Sequence, residues 1–401
     1  MNQSRTALIV GAGIGGLAAG LALRRAGWDV RIYERAAAPR ELGFALALAP
    51  NAMDALRELD LADTLTASGV TPTKFEVRHT DGRVIRRLDV QPGGAGVIAL
   101  RHALHGALLN AVGSEVILPG SEAIDVASGQ EGVVLRLRDG RTETGEIVVG
   151  ADGVGSVVRS WLHPGEPPPR ESGFYGLRGV ARGVASQLGE LAAVGYLGDG
   201  VEAATARASA DAVYWYLSLL ARDVAAGPRH PRLLLDRLTP DFDPAFRAIL
   251  AATEDDDMRL DEVFQRPPLL QWGAGRITLL GDAAHPVLPH TGQGAAQALE
   301  DAVALGIVLS KRDEDVEPAL REYERVRSWR TRRLIAMGPR IARMTTTRNP
   351  MRKLIRTMLL RFTPESILVG ALRRRRRDPH RALRTWQLGP DRAGIDREAH
   401  R

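Results

Sequence analysis

The chain has 401 residues, 44% of them apolar and none of them cysteine. It can therefore bury the cores of two or three domains, but it offers no disulfide, thiolate nucleophile, iron–sulfur cluster or cysteine-bound zinc. Residues 321–401 hold 23 basic and 7 acidic side chains, so a net +16 in the tail leaves −10 on the preceding 320 residues of a chain whose total is +6; without a zinc-finger, RNP-like or heptad pattern this does not indicate a nucleic-acid binder.

Arg5 and the apolar stretch behind it are not expected to be a secretory leader, because the glycines have turn spacing and the helical pattern runs through Arg24 and Arg25 without a cleavage site. Residues 6–10 predict a buried strand, Gly11-Ala-Gly13-Ile-Gly15-Gly16 a tight turn, 17–26 a helix closed by Gly27, and 28–33 a second strand ending at Glu34. In that context Gly11 permits the turn, Gly13 clears room for a pyrophosphate, and Gly16 lets helix and strand pack closely. The helix N-terminus offers free N–H groups to phosphate, and Glu34 can accept both hydroxyls of an adenosine ribose while repelling a 2′-phosphate. The unit predicts a dinucleotide site.

The apolar run 43–52 feeds a helix over 52–59, and strands over 73–79 and 83–89 form a hairpin around Asp81-Gly82. A helix over 101–112 starts with Arg101, where a helix normally favours acids; a nearby anion or a solvated surface would each account for it. Strands are predicted at 115–117, 123–127, 133–137 and 146–150. The last runs into Ala151-Asp152-Gly153-Val-Gly155-Ser156-Val-Val-Arg159, where Ser156 is placed to cap a short helix. Residues 164–169 read as a proline-rich boundary.

Residues 172–220 read as β-rich, with strands clearest at 194–197 and 212–220; alternation puts Tyr214 and Tyr216 on one face and Trp215 on the other, lining a ligand cavity or simply packing. Short helices are predicted at 231–238 and 244–252, and the acidic run 254–257 reads as a solvated turn rather than a metal site. A strand over 277–280 leads into Gly281-Asp282-Ala-Ala-His285-Pro286, then Gly292-Gln293-Gly294 and a helix over 295–309. Glu300 and Asp301 make that helix too costly for a membrane span. Pro318 marks a break or a helix start; 323–337 and 350–372 read as helical. Arg373–Arg377 is either a solvated helix end or a surface for an acidic membrane leaflet.

Taken together, the glycine loop with Glu34, the Asp-Gly motif from Ala151 to Arg159 and the Gly-Asp motif from Gly281 to Pro286 resemble the single-component flavoprotein aromatic hydroxylases, the class A monooxygenases typified by p-hydroxybenzoate and salicylate hydroxylases. The run 43–51, Arg101 with Leu104, and Leu299-Glu300-Asp301-Ala302 also fit, so the similarity spans residue 5 to about 335. It implies an α/β fold: a Rossmann-like, glutathione-reductase-like FAD-binding domain (1–70, 96–170, 265–320), an inserted β-sheet substrate domain (71–95, 171–264) and C-terminal helices in a basic region (321–401).

The resemblance implies that Gly11, Gly13, Gly15, Gly16, Glu34 and Arg35 hold the ADP half of FAD, Arg101 faces its phosphate–ribityl region, and Asp282 bonds the ribityl chain. Gly292, Gly294 and Ala295 would approach the isoalloxazine, while Asp152 and Arg159 organise FAD binding and nicotinamide use. His285 would be structural, and no metal is expected. NADPH or NADH would reduce FAD, and O2 would yield a flavin C4a-hydroperoxide that hydroxylates the substrate. Tyr196, Tyr214, Tyr216 and His290 are the candidates at the substrate. Some relatives carry a histidine near residue 47; Phe44-Ala-Leu-Ala-Leu48 lacks one, which favours a more apolar aromatic or heteroaromatic substrate, as in bacterial natural-product metabolism. A cytoplasmic monomer or homodimer is expected. An epoxidase or oxidative decarboxylase, an isoprenoid-reductase-like enzyme and a non-enzymatic flavin-binding protein are the alternatives on this scaffold. A halogenase is disfavoured, since Trp215 begins no tryptophan-rich motif ending in Ile-Pro and lysine stands only at 74, 311 and 353.

Overall fold

The computed structural model describes residues 5–38, 44–129, 132–310, 315–365 and 367. Thr6–Val10 is apolar and buried after Thr6 because it is the middle strand of a five-stranded sheet in the order Ile277–Leu279, Ile147–Gly150, Thr6–Val10, Asp29–Glu34, Ile117–Pro119, every pair parallel. Asp29–Glu34, nearer the sheet's end, alternates exposed and buried residues instead. Helix Ile14–Arg25 packs between Gly294–Val308 and Arg101–Val112. A three-stranded antiparallel sheet of Ala123–Gly129, Gly132–Leu137 and Thr142–Gly145 adds Val126, Val133, Leu135 and Leu137 to the same core.

The other large sheet has seven strands, in the order Met258–Gln265, Arg170–Arg182, Ala212–Leu220, Val201–Arg207, Ala193–Leu197, Lys74–His79, Val84–Asp89. Its side chains divide by register. Trp215, Leu217 and Tyr196 pack with Phe246, Leu234 and Leu235 from helices Pro231–Leu238 and Pro244–Ala251, forming a second core. The opposite face carries Arg178, Tyr216, Ala204 and Gly195 in one transverse row of paired residues. Part of that face is covered by the hairpin-like pair Ala45–Leu48 and Val97–Leu100, through Ala45, Ile98 and Leu100 against Val180 and Tyr214.

Several elements differ from the sequence reading: the helix read over 323–337 is the middle of Val316–Thr345, and the one read over 350–372 ends at Phe362. Ser114–Val116 is a 3-10 turn and the strand begins only at Ile117. Of the two readings of Pro318, the start of a helix holds: Asp315 caps Val316–Thr345 by accepting from Glu317 N, and Pro318 falls in the first turn, where a missing N–H costs nothing. A further helix, Pro350–Phe362, packs against Val84–Asp89. Arg373–Arg377 lies outside the described residues.

Candidate active site

Three loops meet at the C-terminal ends of three adjacent parallel strands, where open α/β sheets bind ligands. The glycine loop leaves Thr6–Val10, Ala151–Arg159 leaves Ile147–Gly150, and Gly281–Pro286 leaves Ile277–Leu279. Their contacts leave no room for side chains. Gly11 has φ +102°, and a Cβ there would lie 2.6 Å from the Ala151 carbonyl oxygen; a Cβ on Gly16 would lie 1.9 Å from the Gly11 carbonyl oxygen, and one on Gly15 2.7 Å from a Leu280 methyl. Gly13 differs: a Cβ there meets nothing within 4 Å. It faces open space at the start of an uncapped helix, as a phosphate-binding turn must.

Glu34 ends its strand beside this loop. Its two carboxylate oxygens accept from Ala12 N and Ala36 N, each at 2.9 Å, which fixes the carboxylate and leaves lone pairs on both oxygens. Arg35 is exposed next to it. His105, one turn into helix Arg101–Val112, reaches back to the Ala12 carbonyl at 2.9 Å. That contact sets the start of the helix, and so Arg101, beside the loop.

The backbone N–H of Arg101 donates to the Phe44 carbonyl at 2.6 Å, but its guanidinium makes no hydrogen bond or ion pair with protein among the described residues. Burial and the nearby Arg178 lower its pKa, and Asp282 only partly offsets them. A charged guanidinium so enclosed calls for an anion. Asp282 keeps an exposed carboxylate although protein surrounds it; burial raises its pKa, opposed by His285 and Arg101. Asp152 uses Oδ2 to accept from Val157 N at 2.7 Å, while its Oδ1 is buried without a partner. Gly292, at φ +58°, is exposed, and a Cβ on it would meet open space. Gly294 and Ala295 open the next helix, whose first turn has no side-chain cap. Orphaned acceptor, unpaired cation, bare helix start and glycine-lined gap together fit FAD.

Arg159 does not face this cleft. It is fully buried, bonds the carbonyls of Ala283 and Ala284 at 3.0 and 3.2 Å, and pairs with Glu166, which also binds Arg266 at 2.7 Å. It latches the second loop to the third. His285 is likewise internal. Burial alone would raise the pKa of Asp301, but His285 and Arg327 pull it down to about 2. Asp301 is thus an ionised acceptor, and His285 Nε2 donates to it at 2.5 Å. Arg327 also binds Glu300 at 2.5 Å, and Glu300 accepts from Asn51 at 2.5 Å. Asn51 Nδ2 reaches Gln293 at 3.1 Å, just before the bare helix start. Sequence reasoning missed Asn51, Gln293 and Arg327 as a unit. The available signal was two acids inside an apolar helix, which need a buried cation.

Across the cleft, the seven-stranded sheet presents Tyr214, Tyr216, Ser218 and Glu202. The Tyr216 hydroxyl donates to Glu202 Oε1 at 2.9 Å, and Glu202 Oε2 is buried without a partner. Burial holds the pKa of Tyr216 well above the usual phenol value, and that of Tyr214 at about 12. His290 Nε2 lies 2.7 Å from the Ser218 hydroxyl, and burial lowers its pKa. The structure therefore brings Tyr214, Tyr216 and His290 to one face. Tyr196 is not brought there: it pairs in register with Ala203, not Ala204, so it points into the second core. There it stacks on Phe246 at 4.9 Å and donates to Asp243 at 3.2 Å.

A family model for an FAD binding domain matches residues 4–337. The chain is a class A FAD-dependent monooxygenase. This monooxygenase is 34% identical to the aurachin C monooxygenase/isomerase of Stigmatella aurantiaca, over 90% of this chain and 95% of that protein. It is 31% identical to the 6-hydroxynicotinate 3-monooxygenase of Pseudomonas fluorescens, over 78% and 84%. The crystal structure of Klebsiella pneumoniae HpxO complexed with FAD and uric acid superposes with a TM-score of 0.83 at 25% identity, over 93% of this chain and 96% of that one. The α/β FAD-binding fold with an inserted sheet is thus that of the family.

Proposed function

We propose that this monooxygenase uses NADPH or NADH, with O2, to hydroxylate a small aromatic or heteroaromatic substrate held between FAD and the tyrosine face of the seven-stranded sheet. FAD, when bound, would supply hydride acceptance from the nicotinamide and transfer of one oxygen atom of O2 to the substrate, the other atom leaving as water. The residues around it hold, orient and keep dry. Gly11–Gly16 and Glu34 suit the ADP half, Arg101 the phosphate–ribityl region, Asp282 the ribityl hydroxyls and the first turn of Gly294–Val308 the ring. The parallel sheet with its three-stranded antiparallel partner supports a glutathione-reductase-like version of the FAD domain.

The observation that carries the substrate reading is the pairing of Tyr216 with Glu202 on a face otherwise made small by Gly195, Ala204 and Ala206. A Cβ on Gly195 would meet nothing within 4 Å, so a planar ring has room beside the phenol. Glu202 orients the Tyr216 hydroxyl and keeps one oxygen for an N–H or O–H of the substrate. Phe44 and Ala45–Leu48 supply apolar walls. The uric acid named in the HpxO structure and the 6-hydroxynicotinate named in the Pseudomonas fluorescens relative are both nitrogen heterocycles.

The test is the purified protein's visible spectrum, followed by NADH and NADPH consumption against a panel of aromatics with product mass. A flavin spectrum and a substrate-dependent gain of one oxygen atom are expected. A colourless protein that cannot be reconstituted with FAD overturns the reading.

A further inference from the structure

Helix Pro350–Phe362 is built inside out. Met351, Leu354, Ile355, Met358, Leu359 and Phe362 recur at the spacing of one helical face, and all six are exposed, from 49% at Ile355 to 71% at Phe362. The inward face holds Lys353, Arg356 and Thr357. Lys353 pairs with Asp199 at 2.8 Å, and the buried Arg356 donates to the Thr345 carbonyl at 2.5 Å. At 3.6 residues per turn, Arg352 and Arg361 flank the apolar stripe on its two sides. Both are exposed, and neither has an acidic partner among the described residues.

We propose that this helix docks on an anionic lipid bilayer surface, lying in the plane of the interface. An apolar stripe edged by arginines is the pattern of an interfacial helix, in which the cations reach the headgroups while the stripe enters the acyl boundary. Charge selects this occupant over the others. The helix contains no acid, so a two-fold contact between copies would oppose arginine to arginine. Residues 368–401 bring ten more arginines against four acids, the same sign as the helix flanks and the opposite of a phosphatidylglycerol surface. The helix is too short and too charged to cross a bilayer, and no described helix is long and apolar enough to do so. Docking is also tied to the substrate sheet: the helix packs on Val84–Asp89, and Lys353 pairs with Asp199, in the turn before the strand that carries Glu202.

The FAD-loaded full chain is sedimented with vesicles of phosphatidylcholine alone or mixed with phosphatidylglycerol, at low and high salt. Binding about tenfold or more tighter on the anionic vesicles, and weakened by salt, is expected. Leu354→Glu with Met358→Glu abolishes it while leaving the flavin spectrum and melting temperature unchanged; Arg352→Glu with Arg361→Glu removes the anionic preference. No binding by the unaltered protein overturns the proposal. So does binding that survives Leu354→Glu/Met358→Glu and is lost on removing residues 368–401, and so does a concentration-dependent dimer that the same double variant dissociates without any vesicle binding.

Discussion

Gly13 and Gly16 lie three residues apart in one loop, yet a methyl group added to each meets opposite fates. At Gly16 it would overlap the Gly11 carbonyl at 1.9 Å, backbone that cannot move without opening the loop. Gly16→Ala is expected to cost about 3 kcal/mol or more, read as a lower midpoint in urea. Gly13→Ala enters empty space at an ordinary φ of −72°. It should leave the apoprotein's midpoint unchanged and reduce bound flavin, measured by the ratio of visible to ultraviolet absorbance. Tyr216 gives the matching case at the substrate. Its raised pKa keeps the phenol protonated through neutral pH and donating to Glu202. Tyr216→Phe should retain flavin but lower kcat/KM for product by about tenfold, the loss of one buried hydrogen bond. Alternation along one strand made the Tyr214–Tyr216 face legible, because that period is local. Which way Tyr196 points, and that Glu202 meets Tyr216, depend on register between strands, which a single sequence does not encode locally.

Helix Gly294–Val308 and helix Val316–Thr345 are joined by charges that neither could bury alone. Arg327 is held by Glu300 at 2.5 Å and Asp301 at 2.6 Å, with all three side chains buried. Arg327→Met leaves two buried carboxylates short of a cation and is expected to destabilise by about 3–5 kcal/mol in urea unfolding. The same pair sets a pH dependence. Asp301 has a pKa of about 2 folded against 3.8 ordinarily, so the unfolded chain takes up the proton first as pH falls. Its contribution, about 2 kcal/mol, is present above pH 4 and lost between about pH 4 and 2. Asp301→Asn should remove that part of the slope between unfolding curves at pH 6 and pH 3. Glu300 and Asp301 were legible as acids in an apolar helix. Their partner was not: Arg327 counts by composition with a basic tail, and only the packing of the two helices turns it inward.

At the scale of the whole molecule, the basic tail divides into three parts with different physics. Tyr323 belongs to the first core and donates to the Leu279 carbonyl at 3.0 Å, and Arg327 is buried against Glu300 and Asp301. Lys353 ties helix Pro350–Phe362 to Asp199, in a turn of the substrate sheet, Arg356 ties it to the Thr345 carbonyl of the preceding helix, and Arg352 and Arg361 face outward. One helical pair therefore runs from the first core to the substrate sheet, and the cleft between core and sheet collects residues from Gly11 to Ala295. Trp28 and Trp272 report on the first core, Trp215 on the second. FAD binding only the folded cleft adds about 2.7 kcal/mol at a hundredfold excess over its Kd. A small separate cluster links the FAD-binding part to the substrate sheet, with Ala45, Ile98 and Leu100 packed against Val180 and Tyr214. Stabilisation at the glycine loop should thus reach Trp215, on the far face of the substrate sheet. Scanning calorimetry should give one transition that rises by several degrees on adding FAD, with fluorescence of a variant retaining only Trp215 following it. Two transitions, of which only the one unseen by Trp215 moves, would show that the substrate sheet unfolds independently of the cofactor site.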